Sequence, residues 1–179
     1  MKAYYKIYLI YTVIFLIGAS LSAGIFFAYG ASVFPTNAFD VGTGFSLIKY
    51  ASVSSQIITP AILVFLCGFT VYSCFISSFA CLYVGAILGR TAIKYCLSEH
   101  IYFTHGAILL VLLIIAASYV FVSKEATIIR SSLASIAPEP VNILRLGKTS
   151  TYFKSFTSVI ATLIAVCFAL YLLFIYFPI

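Results

Sequence analysis

The stretch that decides the fold runs from Ile57 to Ile93 and reads IITPAILVFLCGFTVYSCFISSFACLYVGAILGRTAI. These 37 residues contain one charged side chain, that of Arg90. A transmembrane helix needs about 20 apolar residues to cross a bilayer, so the stretch is too long for one crossing and just sufficient for two. We therefore expect a tight helical hairpin with arms at about 57–74 and 76–93, and with its turn near residues 72–78, where small polar residues cluster.

The composition of the whole chain points the same way. Charged residues make up 8% of the 179 residues and hydrophobic residues 64%, and the mean hydropathy is +1.18. Soluble globular proteins carry roughly 25% charged residues. Four acids and ten bases cannot supply a soluble domain with a polar surface. This excludes a soluble enzyme, a nucleic-acid-binding domain and a disordered chain, and indicates an integral membrane protein.

Three further apolar segments accompany the hairpin, at about 7–29, 106–123 and 156–177. The first follows a basic N-terminus, as a signal peptide would, but its apolar run is long enough to cross the bilayer and predicts a retained helix. The fold predicted for residues 1–179 is therefore all-α: a single polytopic transmembrane domain of about five helices.

The bases predict the orientation. The most polar stretch, 124–154, holds five of the ten bases, and Lys and Arg favour the cytoplasmic side of a membrane. Five crossings place the N-terminus and this loop in the cytoplasm and the C-terminus outside. A four-crossing arrangement would put the most basic loop outside, which the same rule disfavours. A re-entrant segment within 57–93 remains open, because short segments are marginal for crossing.

A ridge of small residues is the most specific pattern in the chain. It repeats every four residues along one face of a helix, and its members are Ser73, Ser77, Cys81, Gly85 and Gly89. Ser20 and Gly24 begin a similar ridge on the first helix. In lipid, small residues allow helix backbones to approach closely and associate. The two ridges therefore predict helix-packing interfaces, either within the chain or with a partner or second copy.

The basic loop is the other candidate contact surface. Residues 124–136 are weakly amphipathic, which is typical of a helix lying flat on an anionic leaflet and also of a surface that docks a cytoplasmic partner. The docking or lipid-facing candidates are Lys124, Arg130, Arg145, Lys148 and Lys154.

Residues with catalytic or metal-binding chemistry are sparse. Glu99, His100 and His105 form the only candidate metal or proton-relay cluster, and the spacing of five between the histidines does not place them on one helix face. The five cysteines form no CxxC pair, so packing in apolar segments explains them better than metal or redox roles. No apolar segment carries an acid, and no basic run is interleaved with aromatics. We therefore expect no enzymatic activity, no cofactor, no metal and no nucleic-acid partner.

The layout resembles that of the stage II sporulation protein M (SpoIIM) family. The resemblance lies in residues 62–89, ILVFLCGFTVYSCFISSFACLYVGAILG, where Gly68, Gly85 and Gly89 fall at positions expected for the hairpin glycines of that family. The segment after His105 is similar to its fourth helix. The last stretch, YFKSFTSVIATLIAVCFALYLLFIYFPI, is similar to its final helix. Ser73 stands where a further glycine is expected.

The resemblance implies a non-enzymatic membrane subunit and no catalytic residues. Sporulation members of the family anchor cell-wall hydrolases, whereas smaller members accompany ABC transporters in circular bacteriocin operons and assist maturation, export or immunity. The length of this chain favours the smaller members. The expected function is thus an accessory of an ABC-type export or immunity complex in the cell membrane, contacting lipids, membrane protein partners or a second copy. The alternatives are a membrane anchor for cell-wall remodelling in sporulation and a small self-contained transporter or pore.

Overall fold

The computed structural model describes residues 2–29, 47–97, 102–134 and 143–176, and these are helical apart from one turn at 68–72. The helices are α1 (Lys2–Tyr29), α2 (Leu47–Cys67), α3 (Ser73–Leu97), α4 (Tyr102–Ala134) and α5 (Ile143–Tyr176). Each contains a stretch of 18 or more residues that is long and apolar enough to cross a membrane. The predicted all-α, polytopic fold is confirmed, and the protein is a multi-pass membrane protein.

The hairpin between α2 and α3 turns earlier in the chain than its polar residues predict. The turn occupies residues 68–72, and α3 already begins at Ser73. The backbone N–H of Gly68 closes α2 by donating to the carbonyl oxygens of Val64 and Phe65 at 3.0 and 3.1 Å. Ser73 and Ser77 are fully buried in helix contacts. Small polar residues here mark a packing face, and hydropathy gives no signal for the turn because its residues are mostly apolar.

Three helices extend well beyond the apolar segments that predict them, and α5 is one of these, because it begins at Ile143 and not near residue 156. Helix α2 begins at Leu47, before the apolar stretch that starts at Ile57, so residues 47–56 belong to the same helix as the first arm of the hairpin. Helix α4 continues without interruption to Ala134, and residues 124–134 therefore extend a transmembrane helix instead of forming a separate surface helix. Hydropathy indicates where a helix passes from lipid into water, whereas the helix itself ends only where its backbone hydrogen bonding ends. The apolar segment can therefore be shorter than the helix. The prolines at 138 and 140 lie outside the described residues.

Helix α4 lies at the centre of the bundle and contacts all four other helices. Around it, α1 packs on α3, α3 on α2, and α2 on α5, whereas α1 and α5 are not in contact within the described residues. The ring around α4 is therefore open along one seam between α1 and α5. Leu113 of α4 is 70% exposed although it lies on the central helix, because no helix covers it at this seam.

Successive helices alternate in direction. The start of α1 meets the end of α4 through Tyr11 and Thr127, and the end of α2 meets the start of α5 through Phe65 and Tyr152. The same end of the bundle, which we call the basic end, therefore carries the start of α1, the 68–72 turn, the end of α4 and the start of α5. The bases at this end are Lys2, Lys6, Lys124, Arg130, Arg145, Lys148 and Lys154, and those towards the other end are Lys49, Arg90 and Lys94.

Candidate functional site

The glycine half of the α3 ridge packs against α1 of the same chain. A Cβ atom on Gly89 would lie 2.6 Å from the Cα atom of Ala19, and one on Gly85 would lie 3.2 Å from the carbonyl carbon of Phe15. Gly18 of α1 makes the reciprocal approach, 3.1 Å from the Cα atom of Leu82. These three glycines allow the two backbones to touch, so this part of the ridge is an interface within the chain.

The other half of the ridge packs against α4 through polar contacts. The Ser73 hydroxyl donates to the carbonyl oxygen of Ala126 at 3.2 Å, and Cys81 Sγ lies 3.2 Å from Ser123 Oγ. Ser77 lies between them; its hydroxyl is buried and has no hydrogen-bond partner among the described residues. A hydrogen bond between buried polar groups is an effective link between helices in lipid, where water cannot replace it. The five residues predicted as a ridge thus join α3 to two neighbouring helices.

The ridge on α1 is placed differently. Ser20 and Gly24 are exposed, and a Cβ atom on Gly24 would meet nothing within 4 Å. A shallow groove of about 340 Å³ runs beside Ser20 and is lined by Val13, Leu16, Ile17 and Leu21. Among the described residues, none covers this small-residue surface, and it is open to the membrane.

The predicted docking bases all lie at the basic end, on two helices. Arg130 is half-buried and its Nη1 atom donates to Cys74 Sγ at 3.0 Å, which ties α4 to the start of α3. Lys154 is exposed on α5. Arg145 and Lys148 belong to the first turns of α5, and their side chains lie outside the described part. The basic surface is therefore formed by two helix extensions from the bundle.

Lys124 is largely enclosed by its neighbours. Its Nζ atom lies 2.7 Å from Glu125 Oε1, and the two side chains are 15% and 20% exposed. The same ammonium lies 4.8 Å from the ring centre of Tyr8 and 5.0 Å from that of Phe121. Aromatic faces attract cations at these distances. Lys124 is thus held where α1 and α4 meet.

An aromatic cluster at the basic end attaches α5 to the α2–α3 hairpin. The Phe65 ring stacks on Phe156 and Tyr152, with ring centres 3.8 and 5.0 Å apart, and meets Phe153 edge-on at 5.2 Å. The Tyr152 hydroxyl donates to the Phe65 carbonyl oxygen at 3.0 Å. The sequence analysis did not identify this contact, since nothing in the sequence pairs residues 87 positions apart.

Arg90 is a second residue whose setting the sequence did not reveal. It lies inside α3, is 4% exposed, and has its guanidinium 5.8 Å from the ring centre of Phe26. Arg90 makes further polar contacts as well. An arginine buried near the end of a transmembrane helix is costly without such contacts. It therefore forms part of the packing between α1 and α3.

Gln56 is a third. It precedes the apolar stretch that starts at Ile57, but it belongs to the crossing helix α2, where it lines a cleft of about 360 Å³ between α2 and α3. Its Oε1 atom is buried and has no hydrogen-bond partner among the described residues. Pro60, one turn further along, has no backbone N–H, so the Gln56 carbonyl oxygen also lacks its usual helical donor. The cleft is thus mainly apolar, with the polar residues Ser55, Gln56 and Thr59 of α2 along one side.

The weak metal candidate cannot be placed. Glu99 and His100 lie outside the described residues, as does the side chain of His105. Among the residues that the structure describes, no three His, Cys, Asp or Glu side chains come together as a metal site would require.

Comparison of the chain with protein-family models, with curated proteins and with solved structures found no match. The likeness to the stage II sporulation protein M family therefore stays a prediction from the sequence, and the function is argued from the surfaces described above.

Proposed function

We propose that the protein is a non-enzymatic membrane subunit that works by packing against partner membrane proteins through the outer face of α1. The observation that carries this proposal is the exposed small-residue ridge that begins at Ser20 and Gly24. The α3 ridge illustrates what such a surface does in this chain, because Gly85 and Gly89 allow a neighbouring helix to make backbone contact. The α1 ridge offers the same kind of surface, and no helix described in this chain covers it.

The position of α1 supports this role. Of the helices that the structure describes, α1 packs only on α3 and α4, and it is the least buried of the five, with 22% of its apolar segment inside the bundle. Association of helices in lipid depends on close packing and hydrogen bonds, since apolar surface alone gives no driving force there. A ridge with an adjacent groove on a peripheral helix meets this requirement for a second transmembrane helix.

For the partner, we propose an ABC-type transporter that exports, or confers immunity to, a peptide such as a bacteriocin. This assignment rests on the resemblance to the small members of the stage II sporulation protein M family. The basic end, facing the cytoplasm, would then lie on the side of the membrane where a transporter binds ATP. A membrane anchor for cell-wall hydrolases is the alternative that the same resemblance implies.

The test is affinity purification in mild detergent, followed by mass spectrometry of the proteins that co-purify. We expect the wild type to retain a stoichiometric membrane partner or ATPase, and the double variant S20L/G24L to lose it. Gly106→Leu is the matched control, because Gly106 is also exposed and a Cβ atom there meets nothing within 4 Å. If S20L/G24L co-purified with the same partners as G106L, the α1 contact would be refuted. A cell-wall hydrolase in place of an ATPase would favour the anchor.

A self-contained transporter is the second candidate, and the cleft beside Gln56 is the observation that favours it. In a variant without native cysteines, T59C would react with a membrane-impermeant maleimide if water entered the cleft. I62C is the control, since Ile62 is exposed on the same helix but does not line the cleft. Labelling of T59C alone would favour the transporter, whereas protection of both would favour the packing subunit.

A further inference from the structure

A cleft follows the open seam between α1 and α5 and has a volume of about 650 Å³. Helix α4 forms its floor, where the small side chains of Ala116 and Ala117 leave space above the helix. Val159 of α5 contributes to the wall opposite α1. The lining is apolar apart from a few hydroxyl groups, and the hydroxyl of Ser118 already donates to the Ile114 carbonyl oxygen at 2.8 Å. Clefts of 300–1,000 Å³ are of the size that binds small molecules.

A positive charge lies beside one end of this cleft, although Lys124 itself is not one of the lining residues. Tyr8 and Phe121 line it, and these are the two rings over which the Lys124 ammonium lies. Lys124 is 18 residues from Gly106, where the apolar part of α4 begins, and this corresponds to about 27 Å of helix. The hydrocarbon core of a bilayer is about 30 Å thick. Lys124 therefore lies near the level where hydrocarbon gives way to headgroups.

The length of the cleft matches one leaflet. Its lining extends along α4 from Leu113 to Phe121 and along α1 from Tyr8 to Leu16, which is about 12 Å on each helix. Half of the hydrocarbon core is about 15 Å. A partner helix that crosses the membrane would need a groove through both leaflets, whereas lipid acyl chains need a groove through only one.

We propose that this cleft is a binding site for an anionic phospholipid, with its acyl chains between α1 and α5 and its phosphate at Lys124. Charge complementarity selects the headgroup. Seven of the ten bases lie at this end, and Glu125 is the acid beside Lys124. Glu125 occupies one direction of the ammonium, which has three donors. Basic pockets between transmembrane helices on the cytoplasmic side bind anionic headgroups in this way. The proposal does not depend on the α1 ridge or on a protein partner.

The experiment is native mass spectrometry of the delipidated protein in detergent, with phosphatidylglycerol, phosphatidylcholine of the same acyl chains, or inorganic phosphate added. We expect the wild type to retain phosphatidylglycerol in preference to phosphatidylcholine, and to retain no inorganic phosphate. Lys124→Gln should reduce phosphatidylglycerol affinity about fivefold, the effect of one charge near the headgroups. Lys6→Gln is the control for general attraction, because Lys6 is exposed at the same end, whereas the Lys124 ammonium lies over the Tyr8 and Phe121 rings that line the cleft.

A second pair of variants tests the apolar part. Ala117→Phe should fill the cleft and reduce retention about tenfold, because the ring would occupy the space of the acyl chains and overpacking a contact costs about 1–3 kcal/mol. Leu110→Phe is its control, because Leu110 is exposed on α4 outside the cleft. Thermal unfolding in the same detergent verifies that all variants are folded. Equal retention of the two lipids by the wild type would overturn the proposal, as would equal effects within either pair. A photo-crosslinker at position 117 that captured a protein or a second copy would also overturn it.

Discussion

Gly89 of α3 lies so close to Ala19 of α1 that a Cβ atom on the glycine would be 2.6 Å from the Ala19 Cα atom. The obstacle is backbone, which cannot rotate out of the way as a side chain can. Close approach of this kind is the main source of helix association in lipid. The same pair therefore fixes both how near α1 lies to α3 and which residue is tolerated at position 89.

Gly89→Leu should separate α1 from α3. Overpacking a helix contact costs about 1–3 kcal/mol and occasionally more, and we expect the upper part of this range because both helix backbones would have to move. The measurement is unfolding of the purified protein by increasing amounts of a denaturing detergent, followed by circular dichroism. Gly24→Leu is the matched substitution in open space and should unfold like the wild type. Equal loss of stability in both variants would contradict the packing described here.

A disulfide between α3 and α4 can test the polar half of the same ridge. Cys81 Sγ and Ser123 Oγ are 3.2 Å apart and buried. Ser123→Cys, made in a chain that keeps Cys81 as its only other cysteine, should therefore form a disulfide with a membrane-permeant oxidant. The S–S bond requires Cβ atoms about 3.5–4.5 Å apart, so it reports the register of the two helices.

The readout for this pair is protection from a thiol-reactive polymer in a gel-shift assay. Ser118→Cys in the same background is the control, because Ser118 bonds within its own helix to the Ile114 carbonyl oxygen and not to α3. Oxidation-dependent protection of S118C, or none in S123C, would show that α3 and α4 have a different register.

The crossings could be predicted from sequence because length and hydropathy are local properties. The period of four that links Ser73 to Gly89 also predicted a packing face, and all five residues lie on helix contacts within the chain. Which helix covers that face is not local: Gly89 meets α1, whereas Cys81 meets α4. The sequence left open whether the face was internal, because small residues suit close packing with any helix.

Other parts of the structure leave little trace in the sequence. The turn after Gly68 is apolar, so hydropathy cannot separate it from the arms of the hairpin. The open seam beside α4 depends on which pairs of helices are in contact. Each helix is apolar around most of its circumference, so the sequence contains no amphipathic stripe that would predict which helices are neighbours. Lys124 could be identified as a base near the end of a span, but its place beside Tyr8 depends on that order.

Tyr152 and Gly68 should be energetically coupled. A Cβ atom on Gly68 would lie 3.0 Å from Tyr152 Cζ and collide with its hydroxyl. Tyr152→Phe alone loses the hydrogen bond to the Phe65 carbonyl oxygen, a cost of about 0.5–1.5 kcal/mol. Gly68→Ala alone should cost more than it does in the Tyr152→Phe background, where the hydroxyl is gone.

A double-mutant cycle on unfolding free energies measures this coupling, which for residues in contact is about 0.5–3 kcal/mol. Gly68→Ala combined with Tyr5→Phe is the control, because Tyr5 is exposed at the far side of the basic end, on α1. Additive effects of G68A and Y152F would mean that the start of α5 does not rest on the hairpin turn.

The orientation of the bundle gives the last prediction. Positively charged residues are retained in the cytoplasm during insertion, and the basic end holds seven of the ten bases, so we expect that end to face the cytoplasm. Single cysteines at Lys6 and Tyr72, both exposed at the basic end, should resist an impermeant maleimide in intact cells and react after permeabilisation. A cysteine at Tyr29, exposed at the opposite end of α1, should react in intact cells.

Two different outcomes would contradict this prediction. If the cysteines at Lys6 and Tyr72 reacted from opposite sides of the membrane, the alternation of α1 to α3 itself would be wrong. If all three cysteines reacted from the side opposite to the expected one, the fold would stand and only its orientation would be reversed. The two errors are therefore distinguishable in one experiment, and only the second would remove the basis for placing the Lys124 site in the cytoplasmic leaflet.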